Sequence, residues 1–329
     1  MVALGFSKDT KLSVLLKSIG TERTKNLYAA RGATLYALNK LSGADNESTT
    51  GPISDQHELG DGVLIVPDEP PTKGGLGSTE DDDTDSQDVE SLEITKWVPN
   101  KNPYSIQIGN IYCDVYLHDE NGKINLNGIN DGNKGILIEY FTQMGIDVLD
   151  ADVIVDSILD WIDPDDLNHL NGAEDNYYET LPEPYKTKGA PFSSIEELVL
   201  VRGVTPEIFE SIRNDITVYG GEQIVVNINI ASKKILSSVL GLSGELVDEL
   251  MLYIGETGPI KTSEELRQVF WDLGIIGDSF EKIRPYITIG QSDFVTINAV
   301  PRGSKMGYEY KLIAGKSDGG YKIYAVYPE

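Results

Sequence analysis

The feature that most constrains this chain is the order of its periodicities: β-type alternation at two distant places, with helical periodicity between them. The run "YSIQIGNIYCDVYLHDENGKINLN" holds two strand-like segments, Ile106–Ile108 and Tyr112–Leu117, joined at Gly109-Asn110. The end of the chain supplies three more, "VTINAVP", "GYEYKLIAG" and "GYKIYAVYP", with turns at Pro301–Gly307 and Ser317–Gly320. Residues 131–290 lie between and read as helices. This order predicts an α+β protein: an antiparallel sheet whose two halves meet in space, interrupted by a large inserted α-helical domain.

Ahead of the first strands, residues 7–41 read as one amphipathic helix. Leu12, Leu16, Ile19, Ala30, Ala33, Ala37 and Leu41 recur at three- and four-residue spacing. The small residues allow close approach of another backbone, either the chain's own domain or a partner helix. Leu16, Ile19, Ala30, Ala33, Ala37 and Leu41 are the candidate partner-binding residues. Residues 42–95 lose all periodicity. They carry 15 acids against Lys73 and are rich in Pro, Gly and Ser, so they read as an acidic disordered linker. The expected divisions are 1–41 (helix), 42–95 (linker), 96–130 (first part of the sheet), 131–290 (inserted α-domain) and 291–329 (closing strands).

The insert contains a repeat. "PFSSIEELVLVRGVTPEIFESIRNDITVYG" (191–220) returns as "PIKTSEELRQVFWDLGIIGDSFEKIRPYITIG" (259–290), and "SSVLGLSGELVDELMLYI" (237–254) is a third hairpin of the same kind. Each turns at a glycine able to take the left-handed backbone. These are helix-hairpin-helix-like patterns. In nucleic-acid-binding versions, Lys and Arg flank the turn. Here the second helices open with Glu207 and Glu210, with Glu245, Asp248 and Glu249, or with Asp278 and Glu281. Together with a net charge of −26, that disfavours phosphate and anionic membrane surfaces. One cysteine, Cys113, excludes an intramolecular disulfide and a multi-cysteine metal site. His57, His118 and His169 are scattered, and Asp160 with Asp163, at i, i+3, is a candidate acid/base pair on one helix face. No substrate pocket or phosphate loop is legible, so the chain reads as non-enzymatic.

The stretch "DWIDPDDLNHLNGAED" (160–175) packs six carboxylates into sixteen positions. Like charges so close require an open wet loop or a cation, and clustered hard oxygens are what calcium takes. From Asp163 as position 1, Asp165 falls at 3 and Glu174 at 12, the EF-hand spacing, but Leu167 and Asn168 break that pattern at 5 and 6.

At this loop a family becomes recognisable. "ILDWIDPDDLNHLNGAEDNYY", "KGAPFSSIEELVLVRGVTPEIF", "ITVYG", "VNINIAS", "DENGKINLN" and "NLYAARGATLYALNKL" together resemble the minor pseudopilin K of type II secretion systems (general secretion pathway protein K). The resemblance implies a pilin-like fold, a helix and antiparallel sheet interrupted by the α-domain, at the tip of a periplasmic pseudopilus. It implies assembly with minor pseudopilins I and J in support of protein export across the outer membrane. It also implies calcium bound in the α-domain, with Asp163, Asp165, Asp166, Glu174 and Asp175 as the matching ligands. Family members are anchored in the bacterial inner membrane by an apolar N-terminal helix, and "MVALGFSKD" reads as its last turn, as in a soluble truncation. A type IV pilus tip minor pilin and a helix-hairpin-helix nucleic-acid-binding protein are the alternatives.

Overall fold

The computed structural model describes residues 2–42, 97–100, 102–303, 308–318 and 320–328, with side chains described from Gly20 onward. The predicted linker 42–95 lies outside the described residues, Ser42 apart. The chain divides into two compact units. One joins residues up to His118 with Val295–Glu329, and the other is the continuous stretch Asp119–Phe294.

In the first unit, α1 (Val2–Ser42) accompanies five strands: β1 (Tyr104–Ile108), β2 (Ile111–Asp119), β7 (Phe294–Pro301), β8 (Tyr310–Ser317) and β9 (Gly320–Pro328). Their order in the sheet is β1-β2-β7-β8-β9, so the strands from the two ends of the chain meet at β2 and β7. Pairing is antiparallel at β1–β2, in register Ile106↔Cys113, and at β8–β9, in register Leu312↔Val326. Gly109 makes the first turn with φ +61°, a backbone that glycine takes without strain.

The alanine stripe of α1 packs on this sheet. Ala30, Ala33 and Ala37 are fully buried and Leu41 nearly so, in one cluster with Ile106, Cys113, Val115, Leu117, Val295, Ile297, Ala299, Leu312 and Ala314. This corrects the assignment of Ala30, Ala33, Ala37 and Leu41 to a partner. Small side chains bring the helix close to its own strands, and the sheet occupies the face. The side chains of Leu16 and Ile19 lie outside the described residues. Trp97 closes one end of the cluster, stacked 4.2 Å from Tyr104 and edge-on to Tyr36 at 5.8 Å. The opposite face of α1 leaves Tyr28 and Leu35 exposed.

The second unit begins at Asp119, so residues 119–130 belong to it and not to the sheet piece drawn at 96–130. The physical reason is pairing. β3 (Ile124–Asn125) lies parallel to β4 (Ile216–Thr217), and β5 (Val226–Asn227) lies parallel to β6 (Ile287–Thr288). These two-residue strands were invisible to periodicity, because two residues carry no period. Around them stand α2 (Gly135–Gln143), α3 (Val148–Ile162), α4 (Asp175–Tyr178), α5 (Pro206–Ile212), α6 (Lys233–Leu240), α7 (Gly244–Thr257), α8 (Ser263–Asp272) and α9 (Asp278–Ile283). The turns before α5, between α6 and α7, and between α8 and α9 hold Gly203, Gly241 and Gly274 at φ +86°, +62° and +76°.

Asparagine side chains do the work that longer strands would do. Asn127 accepts from the Phe192 N–H at 2.7 Å and donates to the carbonyls of Phe192 and Val218, both at 3.0 Å. Asn229 repeats the clasp on Ile260, accepting at 2.8 Å and donating at 3.0 Å. Asn125 and Asn227 likewise donate to the carbonyls of Gly221 and Gly290, at 2.7 and 3.0 Å. The unit is thus built twice over, with "INLN" (124–127) and "VNIN" (226–229) opening equivalent halves. Replacing Asn127 by Ala strands a backbone N–H and two carbonyls away from the amide that serves them. We expect Asn127→Ala to destabilise the second unit by about 1–3 kcal/mol, read as a lower urea midpoint.

Candidate metal centre

Helix α3 is capped by Asp147, whose carboxylate accepts from the Leu149 N–H at 2.9 Å. Its buried face carries Ile154, Val155, Ile158, Leu159 and Trp161, but also two carboxylates four residues apart, Asp156 and Asp160. Asp156 is compensated. Lys134 Nζ donates to Oδ1 at 2.8 Å, and the Asn171 N–H and side-chain amide donate to Oδ2 at 3.1 and 3.3 Å. Burial raises its pKa, but the Lys134 bond and these donors outweigh that and hold it below the ordinary carboxylate value.

Asp160 has no such counterpart. It is fully buried, its Oδ1 accepts from the His169 N–H at 2.9 Å and lies 2.5 Å from His169 Nδ1, and its Oδ2 has no partner. Asp163 ends α3 with its own N–H bonded to the Leu159 carbonyl, and its Oδ1 is buried without a partner. Burial first, and then the charge of Asp165, raises the Asp163 pKa. Glu174 precedes α4 and is 1% exposed. Its Oε2 accepts from Thr187 Oγ1 at 3.2 Å, while its Oε1 is buried and unpartnered. Burial, reinforced by the charges of Asp160 and Asp163, pushes Glu174 up to about 7. Ligand atoms of Asp160, Asp163 and His169 lie within 4.8 Å of one another.

Three buried carboxylate oxygens without a donor, around one loop, fit a divalent cation. A buried polar atom left unsatisfied costs about 1–3 kcal/mol, and more when charged, whereas calcium is held by such oxygens. The residues able to supply them are Asp160, Asp163 and Glu174. Of the five predicted ligands, Asp163 and Glu174 turn inward. Asp165 and Asp166 are exposed, and Asp165 caps its own turn by accepting from the Leu167 N–H at 2.8 Å. Asp175 is engaged by Lys186 Nζ at 2.6 Å and by the Thr187 N–H and hydroxyl, both at 2.9 Å, and the Lys186 bond lowers its pKa. Asp160 and His169 were missed as a pair. The signal was an aspartate on the apolar stripe of "VIVDSILDWI", where a solvated acid has no place.

The loop closes tightly on this site. A Cβ on Gly172 would stand 1.9 Å from Asp160 Oδ2 and 2.7 Å from its Cγ, so a glycine is needed for space alone. Arg202 Nη1 donates to the Gly172 carbonyl at 3.0 Å, and its guanidinium lies 4.9 Å from the Tyr177 ring centre. Trp161, Tyr178 and Tyr185 pack as an aromatic floor, with ring centres 5.1–6.3 Å apart. We expect Gly172→Ala to displace Asp160 and lower stability by about 1–3 kcal/mol, measured by thermal unfolding.

Fold and site together define a protein of mixed helix and antiparallel sheet with a loop lined by buried carboxylate oxygens. Comparison with known proteins makes this particular: residues 122–221 match the family model of type II secretion system protein K. That segment is the first of the two halves and includes the loop. Type II secretion system protein K of Pectobacterium carotovorum subsp. carotovorum is 29% identical over 125 residues, covering 34% of this chain and 38% of that protein. The Aeromonas hydrophila protein K is 35% identical over 88 residues, 26% of this chain and 27% of that protein. The matches therefore span less than half the length of these curated relatives. A chain in the crystal structure of the GspK-GspI-GspJ complex from the enterotoxigenic Escherichia coli type 2 secretion system shares the fold. Its TM-score is 0.58 at 15% identity, over 69% of this chain and 83% of that one. The resemblance to protein K read from the loop and its flanks holds.

Proposed function

We propose that this protein is a non-enzymatic minor pseudopilin of a type II secretion system, assembling with pseudopilins I and J at the tip of the pseudopilus. The observation that carries this reading is the protein K match across the loop-bearing half of the second unit. The shared fold with a chain of the GspK-GspI-GspJ complex supports it. Work at the periplasmic face of the inner membrane belongs to the same reading; no described helix is long and apolar enough to cross a membrane. The acidic starts of the hairpin helices weigh against nucleic acid as the ligand.

The partner-facing surface of α1 is then not its alanine stripe, which the sheet covers, but the opposite face with Tyr28, Arg31 and Leu35 at i, i+3 and i+7. Co-expression with the pseudopilins I and J of the same organism tests this. The wild-type chain should co-elute with both. Tyr28→Glu/Leu35→Glu should lose the partners while its melting curve stays unchanged. Ala33→Glu should instead unfold the first unit by burying a charge in its core. Retention of both partners by the Tyr28/Leu35 variant would refute this face.

The loop's ion in this reading is calcium, held by Asp160, Asp163 and Glu174. A cation bound only to the folded state stabilises it by RT ln(1 + [L]/Kd), about 2.7 kcal/mol at 100-fold excess over Kd. Thermal unfolding should show a higher midpoint in calcium than in chelator. Magnesium should act weakly because it sheds water reluctantly. Asp163→Asn/Glu174→Gln should abolish the calcium effect, and an equal calcium shift in that variant would rule the site out.

A further inference from the structure

His169 sits among the orphaned carboxylates, yet an all-oxygen calcium site has no use for an imidazole as ligand. Its geometry shows a different task. Both the backbone N–H and the Nδ1 of His169 meet the same atom, Asp160 Oδ1, at 2.9 and 2.5 Å. With its proton on Nδ1 the ring donates to that oxygen, and this nitrogen then has no lone pair to offer a metal. At its far end, Nε2 lies 3.4 Å from Oδ1 of the exposed Asp131.

The consequence falls on the other oxygen of Asp160. The terminal torsion of aspartate is broad and roughly two-fold, so a buried Asp160 held by nothing would sample several orientations. With Oδ1 gripped by two donors from one residue, Oδ2 is left buried and unpartnered, against the space that Gly172 leaves open. We propose that His169 is a positioning residue of the loop: it clamps Asp160 so that one fixed carboxylate oxygen is presented to the cation, and thereby sets the loop's affinity for it. This inference rests on the calcium reading of the loop. It makes the affinity depend on a hydrogen-bond donor at the Nδ1 position, not on a ring or a charge.

The test is calorimetric titration of calcium chloride into the chelator-treated full chain, for wild type, His169→Leu, His169→Asn and His169→Gln. Circular dichroism in chelator checks that each is folded. Asparagine places its amide nitrogen where Nδ1 stands, glutamine carries it one methylene farther out, and leucine removes it. Loss of an outer partner of a metal ligand typically costs about 10–100-fold in affinity, so His169→Leu should weaken binding by about that factor while His169→Asn stays within about threefold of wild type. Should His169→Leu not fold, the comparison passes to His169→Gln, expected to be at least about 10-fold weaker than His169→Asn. Wild-type affinity in His169→Leu, or equal loss in the asparagine and the leucine or glutamine variants, overturns the assignment. A wild-type chain that takes up no calcium overturns the calcium reading itself, and this inference with it.

Discussion

An ionised carboxylate taken out of water must find a donor or a cation, and the second unit buries oxygens of four carboxylates around a single helix end. Asp156 meets the requirement with Lys134 and Asn171. Asp160, Asp163 and Glu174 each keep a buried oxygen that no protein group serves. Asp156 shows that the fold can supply counter-charges where it needs them. Leaving three oxygens bare a turn away is therefore a property of the site and not of a careless core. The neighbouring arrangements follow from it: Gly172 gives up its side chain to make room, His169 grips one Asp160 oxygen, and Arg202 ties down the Gly172 carbonyl.

The same unit solves a second problem, that of holding long irregular connections with strands of only two residues. A primary amide presents a donor and an acceptor side by side, the same pair that a backbone offers in a ladder. Asn127 and Asn229 use this to clasp Phe192 and Ile260 across 65 and 31 positions of chain. The two halves share their clasps and their closing strands but differ in what lies between. The first encloses α2, α3, the acidic loop and α4, and the second only α6 and α7. The candidate metal centre is thus a feature of one half alone, the half that matches the protein K family.

The first unit depends on close approach instead of charge. Alanines at the buried positions of α1 bring the helix down onto strands drawn from both ends of the chain. Because this contact uses up the stripe, the proposed recognition of pseudopilins I and J falls to the exposed aromatic and aliphatic side chains opposite.

Much of this was legible in the amino-acid sequence, because the relevant signals are local. Alternation located the five strands of the sheet, glycines marked turns between helices, and three- and four-residue spacing found the α1 stripe. Clustered acids marked the loop. What remained hidden was set by contacts distant in sequence. Periodicity shows that a stripe is apolar but not what covers it, so the sheet's claim on Ala30, Ala33 and Ala37 appeared only in three dimensions. The boundary at Asp119 depends on Ile124 pairing with Ile216, a partner no window around residue 124 contains. Within the loop, sequence spacing ranked Asp165 and Asp175 beside Asp163 and Glu174. Only the fold decides which carboxylates lose water, because desolvation depends on where α3 ends and how residues 169–174 return across it. That return buried Asp160 and Glu174 and left Asp165 in solvent.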